Sequence, residues 1–292
     1  MKIMLDLLEG PVDPAVDRRK DVVIVEIPPG CVGWVTGSNR ETLSAIEETT
    51  GTLMFFLGEH YEARQNQGGK LAIFGSQRSR KWAELEVKFA VERKLAGHFS
   101  QYCEDVKTTT ESFDTDCLTL DLEDVAYAIG QRGSTRLKLA KASGAILQFV
   151  GNKAFIAGTK IERRRCRDYL GWLLEQKDNS LTLDLRGRTD TSEVSITEDQ
   201  GKLLHGDYLT DMRRIEEESG TFCIVAIAPT PRIVICGEES GEMYRETGRY
   251  LAEKELRRLV GSMKVGGHKR RERSRSRERG YAGWSSWSSW WT

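Results

Sequence analysis

The chain has 292 residues, 39% hydrophobic and 30% charged, with 44 Lys and Arg against 44 Asp and Glu. That balance is globular, and no apolar run approaches the roughly 20 residues a helical membrane span requires. Met1–Gly10 carries acids at Asp6 and Glu9 and lacks the long apolar stretch of a signal peptide, so the expected location is the nucleus, the cytoplasm or both, away from membranes.

Three segments repeat one pattern in chain order: a β-type run, a helix-like stretch ending in Gly, and a second helix-like stretch closing in Thr-Gly or Ser-Gly. They span Val25–Phe56, Leu118–Phe149 and Val194–Val225 and align without a gap. The interval from Gly37 to Gly51, from Gly130 to Gly144 and from Gly206 to Gly220 is 14 residues each time. Within it Leu43 and Met212 stand six residues after the first glycine, and Ile46, Leu139 and Ile215 nine residues after it, as a helix keeping one stripe against a sheet requires; Leu137 falls one position off that stripe.

After each closing Gly come two β-type runs: TLMFFL and KLAIFG, AILQFV and AFIAG, TFCIVAI and RIVICG. Gly151-Asn152 predicts a tight hairpin in the second repeat, Pro229-Thr230-Pro231 a turn in the third, and Gly58–Gly69 a long polar loop in the first. A helix closes each unit, over Arg78–Leu95 with Trp82, Leu85 and Phe89 on one face, over Lys160–Gln176, and over Gly241–Val260. The expected fold is α+β: three tandem β-α-α-β-β-α modules over residues 18–97, 112–178 and 179–263, followed by a disordered tail over 264–292.

This order of elements, with GxxG between the first two helices, resembles the type I KH domain of eukaryotic RNA-binding proteins. The second repeat carries the pattern best, as Val125-Ala126-Tyr127-Ala128-Ile129-Gly130-Gln131-Arg132-Gly133 followed by Ser143-Gly144-Ala145. The first keeps Val32–Gly37 but has Arg40 at the second Gly, and the third reads Gly206-Asp207-Tyr208-Leu209. The resemblance implies that the GxxG loop clamps the backbone of single-stranded RNA, or single-stranded DNA, while bases lie over an apolar groove. Carried over, Gly130, Gln131, Arg132, Gly133 and Ser134 hold the backbone, and Ile129, Leu137, Ile146 and Gln148 border the groove. Gly37 and Arg40 form an auxiliary loop.

Charge ranks the modules. No Asp or Glu occurs between Val125 and Phe155, which include Arg132, Arg136, Lys138, Lys141 and Lys153. Glu41, Glu47 and Glu48 follow the first loop, and Asp207, Asp211 and Glu216–Glu218 crowd the third. Phosphate affinity comes mainly from cations that displace counterions, so the middle module is expected to dominate, in mRNA processing or post-transcriptional regulation. The alternative is a protein-interaction scaffold of degenerate KH modules within a ribonucleoprotein.

Residues 263–292 hold eight Lys and Arg and two Glu, leaving the rest of the chain at −6. Here His268–Arg279 reads HKRRERSRSRER and Gly280–Thr292 reads GYAGWSSWSSWWT, so Ser274 and Ser276 are candidate phosphorylation sites in an Arg-Ser context. Protein partners are expected through this tail and the third module. The six cysteines form no CxxC pair and the four His lie in separate segments, so the chain is read as non-enzymatic, without metal or cofactor.

Overall fold

A computed structural model of the chain describes residues 19–57, 68–177, 181, 183–237 and 247–263. The first module runs β1 (Val22–Ile27), α1 (Val32–Thr36), a 3-10 turn at Ser38–Arg40, α2 (Glu41–Thr50), β2 (Leu53–Leu57), β3 (Gly69–Phe74) and α3 (Gln77–Lys94). The second runs β4 (Asp114–Thr119), α4 (Leu122–Ile129), a 3-10 turn at Gln131–Gly133, α5 (Ser134–Ser143), β5 (Ile146–Val150), β6 (Lys153–Gly158) and α6 (Lys160–Lys177). The third runs β7 (Thr191–Ser195), α7 (Glu198–His205), α8 (Leu209–Ser219), β8 (Phe222–Ala226), β9 (Arg232–Cys236) and α9 (Gly248–Ser262).

Each module is therefore the expected β-α-α-β-β-α unit. Its sheet is antiparallel with the last strand in the centre, in the orders β1-β3-β2, β4-β6-β5 and β7-β9-β8. The second helix of each unit stops at a glycine in the left-handed conformation, Gly51, Gly144 or Gly220, where a side chain would be strained. The hairpin at Gly151-Asn152 joins Val150 to Lys153 in register. In the third module Thr197 and Gln200 form a reciprocal capping box at the start of α7. The Gly58–Gly69 loop, the start of the Gly241–Val260 helix and the tail from residue 264 fall largely or wholly outside the described residues.

The three modules stack on one another. Along α3, Ala83, Val87 and Val91 pack into the first module's own core. Leu85, flanked by Trp82 and Phe89, packs instead on the outer face of the second sheet, against Cys117, Ile146, Val150, Phe155 and Ala157. The Trp82–Leu85–Phe89 stripe, expected to close its own unit, belongs to the next one. The relation recurs one module on. Tyr169, Trp172 and Leu173 of α6 share one core with Phe222 and Ile224 of β8 and Val234 and Cys236 of β9. Removing such faces from water stabilises by about 25 cal/mol per Å² of apolar surface.

Two polar clusters fix the linkers. Asp116 on β4 is wholly buried and accepts from Arg163 Nε at 3.1 Å, from Thr108 N at 3.0 Å and from Arg167. Arg163 also donates to the carbonyls of Thr110 and Ser112, which pins the linker between the first two modules. Between the second and third, Arg188 lies 4.7 Å over the Trp172 ring and donates to Asp190 at 3.0 and 2.6 Å and to Asp168 at 2.6 Å. Cys103 and Cys117, 14 residues apart and outside any CxxC spacing, bring their sulfurs to 3.0 Å from each other.

Candidate nucleic-acid interface

The loop between α4 and α5 takes its shape from two glycines. Gly130 has φ 70° and ψ 178°, and a Cβ there would lie 2.1 Å from Thr135 Oγ1, so only glycine fits. Arg132 (φ 55°, ψ 29°) and Gly133 (φ 76°, ψ 7°) continue in the left-handed region, and Gly133 N donates to Gly130 O at 3.2 Å. The turn leaves Gln131, Arg132 and Ser134 exposed at the start of α5, where the helix's unpaired backbone N–H groups favour an anion.

The first loop has almost the same backbone despite its different sequence. Gly37 takes φ 72° and ψ 172°, Asn39 φ 50° and ψ 29°, and Arg40 φ 68° and ψ 16°. Arg40 thus stands in a conformation costing a non-glycine residue roughly 1 kcal/mol. The third loop keeps the closing bond, Leu209 N donating to Gly206 O at 3.3 Å, but is built differently at its first residue, where Gly206 has φ −116° and ψ −100°.

The predicted groove residues separate into three groups. Leu137 is 53% exposed one turn into α5, and Ile129 is half-buried beside the loop. Ile146 and Gln148 do not border an open groove. Alternation along β5 points them to the outer sheet face, where both are buried and Ile146 packs with Leu85 of α3. Of the basic side chains, Lys138 Nζ lies 2.6 Å from Glu216 Oε2, Lys141 Nζ donates to Glu217 O at 3.3 Å, and Arg136 donates to Leu147 O at 3.0 Å. The acid-free helix is thus turned partly toward the third module, whose acids sit opposite its lysines.

Sequence reasoning missed the control of the sheet edge. Met54, Leu147 and Cys223 on the edge strands β2, β5 and β8 stand three residues beyond the helix-stopping glycine, and Glu47, Ala140 and Glu216 on α2, α5 and α8 four residues before it. Glu47 Oε1 accepts from Met54 N at 2.6 Å, and Glu216 Oε1 from Cys223 N at 2.9 Å. Ala140 offers no such acceptor to Leu147. Gap-free alignment of the repeats was the available signal, with Glu, Ala and Glu in one column.

Aromatic side chains flank the first two loops. Trp34 and Tyr127, each three residues before the first loop glycine, are 45% and 41% exposed. Trp34 donates to Ala90 O at 2.8 Å, and Lys94 lies 5.7 Å from its ring centre. Exposed rings beside cations suit base stacking. Among the described residues no group of three or more His, Cys, Asp or Glu could hold a metal ion. Burial pushes the Cys166 thiol up to about 12, leaving it protonated and a poor nucleophile at neutral pH.

The architecture is that of three tandem KH-like modules. No protein-family model matches the chain, and no curated protein does. Solved structures similar to it include Dim2p from Pyrococcus horikoshii OT3, at 19% identity, 53% of this chain, 90% of that one and a TM-score of 0.29. Another is an a/eIF2alpha–aDim2p–rRNA complex from Pyrococcus horikoshii OT3, at 16% identity, 58% and 100% coverage and a TM-score of 0.31. A third is a protein of unknown function from Aeropyrum pernix, at 14% identity, 54% and 84% coverage and a TM-score of 0.29. At these identities and scores the likenesses carry no inference about function.

Proposed function

We propose that the chain is a non-enzymatic RNA-binding protein whose middle module grips single-stranded RNA while the flanking modules serve mainly as structural and protein-contact surfaces. The observation that carries this reading is the Gly130–Gly133 loop, with two glycines, exposed Gln131 and Arg132, and no acid from Val125 to Phe155. Exposed Tyr127 and Leu137 supply apolar surface for bases on either side of that loop. Lys138 and Lys141 belong mainly to the contact with the third module, so phosphate binding rests on the loop itself.

The process best suited to such a protein is mRNA processing or post-transcriptional regulation, in the nucleus, the cytoplasm or both. Ser274 and Ser276 would modulate binding, because phosphates between arginines oppose an RNA backbone. Anisotropy titration of a labelled single-stranded RNA, with single-stranded DNA as competitor, tests the assignment. Gln131→Asp with Arg132→Asp should weaken RNA binding at least tenfold, about 1.4 kcal/mol. Unchanged affinity in the folded variant would remove the middle module as primary binder.

A second reading, a protein-interaction scaffold within a ribonucleoprotein, is favoured by one observation. The sheet edges of the outer modules are occupied by Glu47 and Glu216, leaving those modules less of the edge that nucleic acid would use. An intact affinity after the loop substitutions, together with co-purification of protein partners, would support it.

A further inference from the structure

We propose that the first module contains a second RNA-binding groove, held shut by the pair Arg40–Glu47. The proposal rests on the middle module's reading as an RNA clamp, because it compares the two loops position by position. The backbones of Gly37–Arg40 and Gly130–Gly133 follow the same path, with ψ differing by at most 9° at the three shared left-handed positions. The first loop is therefore a clamp in form, and what differs is the side chain at its last position.

Arg40 turns inward. Its NH1 donates to Glu47 Oε2 at 2.8 Å and its NH2 to Glu47 Oε1 at 2.9 Å, a two-pronged ion pair. The same NH2 donates to Met54 O at 2.5 Å, while Glu47 accepts from Met54 N at 2.6 Å. Both backbone polar groups of Met54 on the edge of β2 are thereby engaged. In the middle module the three positions are Gly133, Ala140 and Leu147, so neither the loop guanidinium nor the helix carboxylate exists there. Leu147 O accepts from Arg136 on the helix instead.

A second, independent feature points to a ligand. Trp34 stands exposed on the helix entering this loop, with the Lys94 ammonium over its ring. An exposed indole beside an ammonium is a surface on which a base stacks. Glu41 and Glu48 remain exposed on α2 and oppose phosphate, so the opened groove should bind more weakly than the middle one.

The test uses the full chain and a fluorescein-labelled pool of random 12-nucleotide RNA. Gln131→Asp with Arg132→Asp removes the middle clamp. Adding Arg40→Gly with Glu47→Ala should raise affinity at least fivefold over that background, and ultraviolet crosslinks should move to the peptide containing Trp34. Glu47→Ala alone, which removes one carboxylate and leaves the loop untouched, should give part of the gain if the double variant folds poorly. No gain in either folded variant, checked by circular dichroism, overturns the latch. Should the unaltered chain fail to bind the pool, the middle-module reading falls. The latch is then judged in the otherwise unaltered chain, where binding gained by Arg40→Gly with Glu47→Ala upholds it and no gain overturns it.

Discussion

Lys138 of the middle module and Glu216 of the third meet at 2.6 Å, with the Glu216 side chain only 1% exposed. Glu216 uses its other oxygen to accept from Cys223 N, so one carboxylate both closes an edge strand and joins two modules. Removing one partner of a buried pair leaves the other uncompensated, at a cost of several kcal/mol when both are buried. Lys138→Ala strands the buried Glu216 carboxylate, whereas Glu216→Ala leaves a Lys138 that is 22% exposed and reaches water, but also orphans Cys223 N. Each should lower stability to urea by about 2–3 kcal/mol, the first through the unpaired charge and the second mainly through the lost Cys223 hydrogen bond. A negligible loss from Glu216→Ala would show that the Cys223 hydrogen bond contributes little.

The column Glu47, Ala140, Glu216 gives a loss-of-function counterpart to the latch. Ala140→Glu places a carboxylate where the outer modules carry one, aimed at Leu147 N. Affinity for single-stranded RNA should fall about tenfold, about 1.4 kcal/mol, while the melting temperature changes little. Undiminished RNA binding in a chain that melts normally would show that the edge of β5 is not used.

Acid should loosen the join between the second and third modules. Burial pushes the Asp190 carboxyl up, but hydrogen bonds from Arg188 and Tyr169 outweigh it and hold the group below its ordinary value. A depressed carboxyl contributes stability that is present above its unfolded-state value and lost as pH falls through the folded one. Stability should therefore be flat near neutrality and decline below about pH 4. In Asp190→Asn that portion of the acid dependence should vanish, with a loss of about 3 kcal/mol at pH 7. A variant whose acid profile matched that of the unaltered chain would place the acid-sensitive groups elsewhere.

Deleting residues 264–292 removes eight Lys and Arg and two Glu. Affinity for RNA should drop modestly, and the plot of log affinity against log salt should become shallower by about 0.7 for each phosphate that the tail neutralises. Sequence preference should persist, because phosphate contacts position and base contacts specify. A truncated chain without its preferred RNA in a selection experiment would assign the reading to the tail tryptophans.

The module fold was legible because gap-free repetition constrains three segments at once, and helix stops at Gly51, Gly144 and Gly220 fall in register. Legibility failed at Ile146, Gln148 and Lys138 for one reason: each faces a neighbouring module, and a pattern read within one repeat does not say what lies outside it. Signals were present. Between Gln77 and Lys94 the sequence carries two apolar stripes, Ala83–Val87–Val91 and Trp82–Leu85–Phe89, where a helix covering one sheet needs one. Strand β5 is buried at all five positions although it carries Gln148, whereas β2, apolar throughout, is buried only at Met54 and Phe56. Composition alone could not distinguish those two strands, since what differs is the helix laid over one of them.

That shared helix decides how the protein can be dissected. Cutting the chain at residues 112 and 178 would yield a fragment with a complete GxxG loop and the correct topology. It would also strip Leu85 from Ile146, Val150 and Phe155, and strip β8 from Tyr169 and Trp172. The excised piece would present greasy surfaces on two sides, so its weak binding or precipitation would report on the cut rather than on the loop. The three units are not interchangeable cassettes, and their contributions have to be separated by point substitution within the intact chain.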